Sequence, residues 1–172
     1  MAKVLIEKAK NISPVKQINN MTCWLACYQM MRDWQGKDTS EDAIKTKLTN
    51  NLINWDDAYA TGLKGKDFKT AAMAMDFTHY PGGSMTMNVI TRMYLSGGSG
   101  PVWVAGVWKK DVKHIKLLVG YDEEGADGGG VYVIDPWYPP EPSVSYEPLS
   151  SFAAGHNVYD GVPGAIQIAR KA

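Results

Sequence analysis

The chain changes its hydrophobic period at Gly97-Gly98-Ser99-Gly100-Pro101, and that break constrains the fold more than any other stretch. Ahead of it, apolar residues recur at helical spacing; beyond it they come in short runs rich in Val, Ile, Tyr and Trp, bounded by turn residues. Cys23, Ala26, Cys27, Met30, Met31 and Trp34 fall at i, i+3, i+4, i+7, i+8 and i+11, one stripe of a helix with Thr22 as its expected N-cap and Gly36 as its stop. Thr39 followed by Asp42 resembles a capping box for a helix over 40–49. Further helices are expected over 66–75, burying Phe68, Ala71, Ala72 and Met75, and over 86–95, with Val89, Ile90, Met93 and Tyr94 inward. Strands are expected over 102–108, 112–121, 131–135, 143–147 and 163–169, and residues 1–21 read as an extended leader. Helices first and strands second predict an α+β fold, with N-terminal helices packed on a C-terminal antiparallel sheet. The expected organisation is one domain over 1–172, its helical part at about 20–96 and its sheet part at about 100–170.

At 172 residues such a chain can bury a core without staples. It has little choice in the matter, because its two cysteines, Cys23 and Cys27, sit four apart on one expected helix. Cβ atoms at that spacing are ~5–6 Å apart, beyond the ~3.5–4.5 Å that a disulfide needs. Eighteen basic and eighteen acidic residues give a formal net charge of zero without long single-sign runs. That excludes electrostatic capture of nucleic acid or of an anionic membrane as the expected function. No His/Cys cluster has zinc-ligand spacing, so neither metal nor cofactor is expected. Gly125-Ala126-Asp127-Gly128-Gly129-Gly130 lacks the Gly-Lys-Ser/Thr ending of a phosphate loop. The apolar run in Met1–Lys8 is too short for a signal peptide and no segment approaches a membrane span. The expectation is a protein made in the cytoplasm, with export by a route lacking a cleavable signal as the alternative.

Cys23 stands at the expected start of its helix. Unpaired N–H groups and the positive end of the dipole favour a thiolate there. Gln17, six residues upstream, can fold back beside the sulfur, so that its amide and the Cys23 N–H both aim at a developing oxyanion. Downstream, His114 lies near the start of one expected strand and Asp135 at the end of the next, and a hairpin would make them neighbours. Thiol, imidazole and carboxylate together make a nucleophile, a base and its orienter. Alternation puts His114, Lys116 and Leu118 on one face, with Ile115, Leu117, Val119 and Tyr121 on the other. Lys116 is expected to reach water from a sheet edge, a place beside the cleft being the alternative. Cys27, one turn in, is expected to be packing, His79 to be exposed, and His156 to be a weaker rival for the base.

The order and spacing of Gln17, Cys23-Trp24, Gly100-Pro101-Val102-Trp103-Val104, His114 with Leu118-Val119-Gly120-Tyr121, and Val133-Ile134-Asp135-Pro136-Trp137 resemble those of the papain-like cysteine peptidases. The likeness is to compact bacterial members, such as secreted effector proteases and the leader peptidases of bacteriocin exporters. It departs from the plant and lysosomal Cys-Gly-Ser-Cys-Trp pattern, and Lys113 and Ile115 flank His114 where small bacterial members commonly have small residues. The resemblance implies Cys23 as nucleophile, His114 as general base and acid, Asp135 as orienter and Gln17 as oxyanion donor. It also implies that Trp137 covers the contact between histidine and carboxylate. The implied function is hydrolysis of a peptide or isopeptide amide in a peptide or protein substrate, with an inhibitor or immunity protein as a further partner. Two other readings stand beside it: a toxin or effector acting as amidase, deamidase or acyl transferase on a host or cell-wall target, and a non-catalytic binding module.

Overall fold

The structure is a computed structural model that describes residues 4–5, 11–96, 98–137 and 141–171. Of the expected leader, residues 1–3 and 6–10 lie outside the described residues, as does Gly97 of the central break. Six helices are described: α1 (Cys23–Gln35), α2 (Glu41–Asn50), α3 (Trp55–Thr61), α4 (Phe68–Ala74), α5 (Met87–Leu95) and α6 (Leu149–His156). Seven strands form one antiparallel sheet: β1 (Val4–Leu5), β2 (Thr78–Pro81), β3 (Ser99–Lys109), β4 (Val112–Asp122), β5 (Gly130–Ile134), β6 (Val144–Pro148) and β7 (Pro163–Arg170). Their order is β2-β7-β3-β4-β5-β6, with β1 on the Gly120–Tyr121 end of β4. The arrangement is α+β, as expected.

Alternation along the central strands divides the core in two. Trp103 and Ala105 of β3, with Ile115, Leu117 and Val119 of β4, join the residues of α1, α2, α3 and α4 in one cluster. Val102, Val104, Leu118, Val131 and Val133 point the other way and pack with Ile90 of α5 and Phe152 of α6. Tyr121 corrects the simple two-residue period: it belongs to the second cluster, because the β4–β5 register shifts between Leu118 and Gly120 and turns the strand over.

Helix α1 is more than amphipathic. Trp24, Leu25 and Tyr28 are buried along with the expected stripe. The helix lies between the sheet and α3, where the Trp24 indole donates to Ala58 O at 3.2 Å and the Tyr28 hydroxyl to Gln167 Oε1 of β7 at 2.8 Å. A helix apolar on nearly every side is a buried helix, and these two long-range bonds pin the N-terminal half of its register. Gly36 ends it in the left-handed conformation, as expected.

Four other expectations need correcting. The Thr22 side chain caps nothing in α1; its Oγ1 instead accepts from Ile18 N and Asn19 N, both at 3.1 Å, closing the loop that leads into the helix. The cap of α2 is Ser40, which accepts from Ala43 N, one residue after the expected Thr39. Helix α3 breaks the interval between α2 and α4, with Asn54 accepting from Asp57 N and two aspartates in its first turn. A strand, β2, interrupts the helical half and a helix, α6, the sheet half. Among the described residues no helix is long and apolar enough to cross a membrane.

Gly82 fixes one wall of the cleft described below. Its N–H donates to Val162 O and its carbonyl accepts from Gly161 N, both at 3.0 Å, and a Cβ there would meet Tyr159 O at 1.7 Å. Only backbone opposes that Cβ, so the clash cannot be relieved by a rotamer change. Gly82→Ala is expected to lower stability by about 3 kcal/mol or more, read from urea midpoints, whereas Gly83→Ala, which meets nothing closer than Asp160 Oδ1 at 3.6 Å, leaves them nearly unchanged.

Candidate active site

Three segments from distant parts of the chain converge at the start of α1. The loop from Gln17 to Thr22 delivers Cys23. Its form is set by local bonds: Met21 N to Asn19 Oδ1 at 2.7 Å, Thr22 N to Asn19 O at 3.4 Å, and the two bonds to Thr22 Oγ1. The Gln17 backbone N–H reaches Pro136 O at 3.0 Å, tying this loop to the residue after Asp135. Strand β4 brings His114. It runs beside α1 closely enough for the Cys27 thiol to face Ile115 O at 3.9 Å.

His114 Nε2 and Asp135 Oδ1 are 2.6 Å apart. The β4–β5 register explains the meeting. Leu117 pairs with Ile134, so Asp135, one step on, falls beside Lys116, diagonal to His114 and on the same face. Trp137 N donates to the same Oδ1 at 3.0 Å. The Cys23 thiol lies close enough to the imidazole to interact with it electrostatically; with Nε2 taken by Asp135, Nδ1 is the ring nitrogen left for sulfur. Cys23, His114 and Asp135 are thus brought together in the order in which the sequence suggested them.

The electrostatics follow from this geometry. Burial alone would pull the His114 pKa down, but the hydrogen bond to Asp135, the neighbouring Cys23 thiol and the charges of both outweigh it and raise it to about 9. Burial pushes the Asp135 carboxyl up, yet the His114 hydrogen bond and charge, the Trp137 N–H and the Lys116 charge prevail and hold it below the usual carboxylate range. Cys27 is different in kind: burial, then the neighbouring Cys23 and Asp135, push its thiol well up. It is fully buried and packs as a small apolar residue, as expected.

Gln17 is buried, is tied to this group through its backbone bond to Pro136, and is not among the residues lining either cavity described below. Its Nε2 donates to Asn19 O at 2.7 Å and its Oε1 is buried without a partner. The rival histidine, His156, is fully buried on α6 with Nδ1 2.7 Å from Ala105 O, and burial lowers its pKa. His79 lies half-buried on edge strand β2. Trp137 is 38% exposed and so is no core aromatic; it lines a cavity together with His114 and Asp135.

Two cavities meet at His114. One, of about 1060 Å³, runs past Cys23 between Trp24, Phe68, Tyr159 and Val162. The other, of about 660 Å³, lies beyond the imidazole between Trp108, Lys116, Asp135 and Trp137. Both include Asn20, Met21 and Val112, so they form two halves of one cleft with the imidazole at the junction and the thiol in the larger half. Among the described residues no group of His, Cys, Asp and Glu could hold a metal ion.

The family model described as papain-like cysteine protease AvrRpt2 matches residues 7–155 of this chain. The chain belongs to that family. It is a cysteine peptidase, and the match takes in every residue of the thiol, imidazole and carboxylate group. No curated protein matches it.

Sequence reasoning placed one part of this peptidase's site only as an alternative, Lys116 beside the cleft, and missed another, Asn20 and Met21. Lys116 does not reach water: it is 7% exposed, pairs with Glu147 Oε1 of β6 at 2.5 Å, and lies 4.6 Å from the centroid of the Trp108 ring. The signal for its face was present in the strand alternation; nothing in the sequence pointed to Glu147. Asn20 and Met21 line the cleft only because the leader loop folds under Thr22.

Proposed function

We propose that this peptidase hydrolyses a peptide or isopeptide amide with Cys23 as nucleophile, His114 as proton carrier, Asp135 as orienter and Gln17 as oxyanion donor. The observation that carries the reading is the row of Cys23 thiol, His114 imidazole and Asp135 carboxylate along a two-sided cleft, with the last two hydrogen-bonded at 2.6 Å. A module that only bound peptides would have no use for such a row.

Cys23 Sγ, as thiolate opposite an imidazolium, attacks the carbonyl carbon; a C–S bond forms and the carbonyl π electrons pass to oxygen. The second Nε2 hydrogen of Gln17, the first being held by Asn19 O, and the Cys23 backbone N–H are the donors for that oxygen. Collapse breaks the C–N bond as the His114 Nδ1 proton passes to the leaving amine. Water then adds to the thioester with its proton going to His114, and thiolate departs to leave a carboxylic acid. Asp135, accepting at Nε2 throughout, keeps the ring in the tautomer and orientation that serve both transfers.

A mixed peptide pool tests the reading. The wild-type protein is expected to produce new N-termini that the Cys23→Ala protein does not. Gln17→Ala should slow that cleavage by ~10²–10³ while alkylation of Cys23 by iodoacetamide stays near the wild-type rate, since alkylation forms no oxyanion. Parallel loss of both rates would remove Gln17 from the oxyanion role, and cleavage by Cys23→Ala would refute the nucleophile.

A further inference from the structure

Lys116 is the one buried cation on the His114 face of β4, and the assigned chemistry makes no use of it. Its burial is built rather than incidental. A lone ammonium at so buried a position would be costly unless paired. The pairing comes from two strands away: Val131 of β5 pairs with Glu147 of β6, so the Glu147 side chain rises on the same face as Val131, Val133 and Asp135 and meets the lysine there. Trp108 closes the other side. Its indole N–H donates to Phe152 O at 3.0 Å and its ring stacks on Phe152, with centroids 5.3 Å apart. It can lie flat only because Gly106 and Gly155 carry no side chains: a Cβ at either would come within 2.4 Å of the indole.

We propose that Lys116 is a positioning residue: its ammonium, clamped between Glu147 and the Trp108 ring, extends the Cys23–His114–Asp135 row and holds Asp135 as the charged acceptor for His114. The inference rests on the proposed roles of those three residues. The row then alternates in sign along its whole length, as thiolate, imidazolium, carboxylate, ammonium and carboxylate. Lys116 acts on Asp135 from the next position across the β4–β5 ladder, and Glu147 offsets its charge so that the imidazolium is not repelled. The other charged groups lining the cleft are Lys109 at the end of β3, in the same cavity, and Lys64, Lys66, Lys69, Asp111, Lys113 and Asp160, in the cavity on the Cys23 side, where the neutral Tyr159 hydroxyl also lies near Cys23. These charged residues are exposed, so solvent screens them, whereas Lys116 acts through protein.

The test reads Cys23 directly. Iodoacetate, whose carboxylate is drawn to the imidazolium, is reacted with the intact protein across pH, and the modified peptide is quantified. The wild-type rate is expected to trace a bell whose alkaline limb falls near pH 9 as His114 loses its proton. Lys116→Met keeps the alkyl stem and removes the charge; the alkaline limb should move to higher pH by about one pH unit, because Glu147 is left as an uncompensated negative charge that favours the imidazolium. Glu147→Gln removes the opposing charge and should move it to lower pH, and Lys116→Arg should leave it in place. A lysine that merely packs would change stability and leave the bell unmoved. Superposition of the Lys116→Met and wild-type bells, with both proteins folded by circular dichroism, overturns the proposal; should Lys116→Met not fold, an unmoved Glu147→Gln bell overturns it equally. A wild-type rate that climbs like that of a free thiol, without a bell, would instead refute the thiolate–imidazolium pair on which the proposal stands.

Discussion

Cys23→Ala and His114→Ala are each expected to reduce turnover of a cleaved peptide by about 10⁴-fold or more, and the double variant should be little worse than either single one. The reason is geometric. The thiol and imidazole are neighbours in one cleft, and neither carries out its step without the other. Removing the imidazole leaves Cys23 without a counter-cation for its thiolate and without a proton for the leaving amine. Multiplicative losses in the double variant would mean that the two residues serve separate steps. Full turnover by His114→Ala would point to another base, and His156, buried against Ala105 O, has no access from which to act as one.

Replacing Asp135 is expected to divide two roles that the carboxylate combines. Asn retains an oxygen that accepts from His114 Nε2, whereas Ala retains nothing. Asp135→Ala should therefore lose ~10²–10⁴ in turnover, within the range that general acid–base catalysis supplies, and Asp135→Asn should retain most of it near pH 6. The charge is a separate matter. Asp135 is among the groups that lift His114 to about 9, so in Asp135→Asn the alkaline fall of the rate should begin at lower pH than in the wild-type protein. Stability carries the same sign. A histidine whose folded pKa is raised from 6.5 to about 9 stabilises the fold fully below pH 6.5, and that contribution is lost as pH climbs through 9. Thermal midpoints of the wild-type protein should decline over that interval more than those of Asp135→Asn. Equal inactivity of folded Asn and Ala variants would show that orientation alone does not account for Asp135.

The break at Gly97–Pro101 separated helical from strand periodicity well enough to predict α1, α2, α4, α5 and the strands β3 to β7 within a few residues. It failed at short elements. Helix α6, Leu149–His156, has no side-chain cap, and β2 ends in Pro81. Both exist because a partner is waiting: α6 buries Phe152 under β3, and β2 pairs with β7. Helix α3 is a different case, since Asn54, Asp56, Asp57 and Gly62 gave it ordinary start and stop signals.

Local chemistry, the kind that repeats with the period of a helix or a strand, was set by the sequence alone: a thiol at a helix start, a histidine and an aspartate on successive strands, a lysine on the histidine's face. Tertiary structure decided what each of these touches. The β4–β5 register placed Asp135 diagonal to His114, a bulge sent Tyr121 to the opposite core, and β6 supplied Glu147 to a lysine that the sequence expected to reach water. Alternation and spacing report which way a side chain points along its own element. What waits there depends on pairings between segments far apart in the chain, and no local period encodes those.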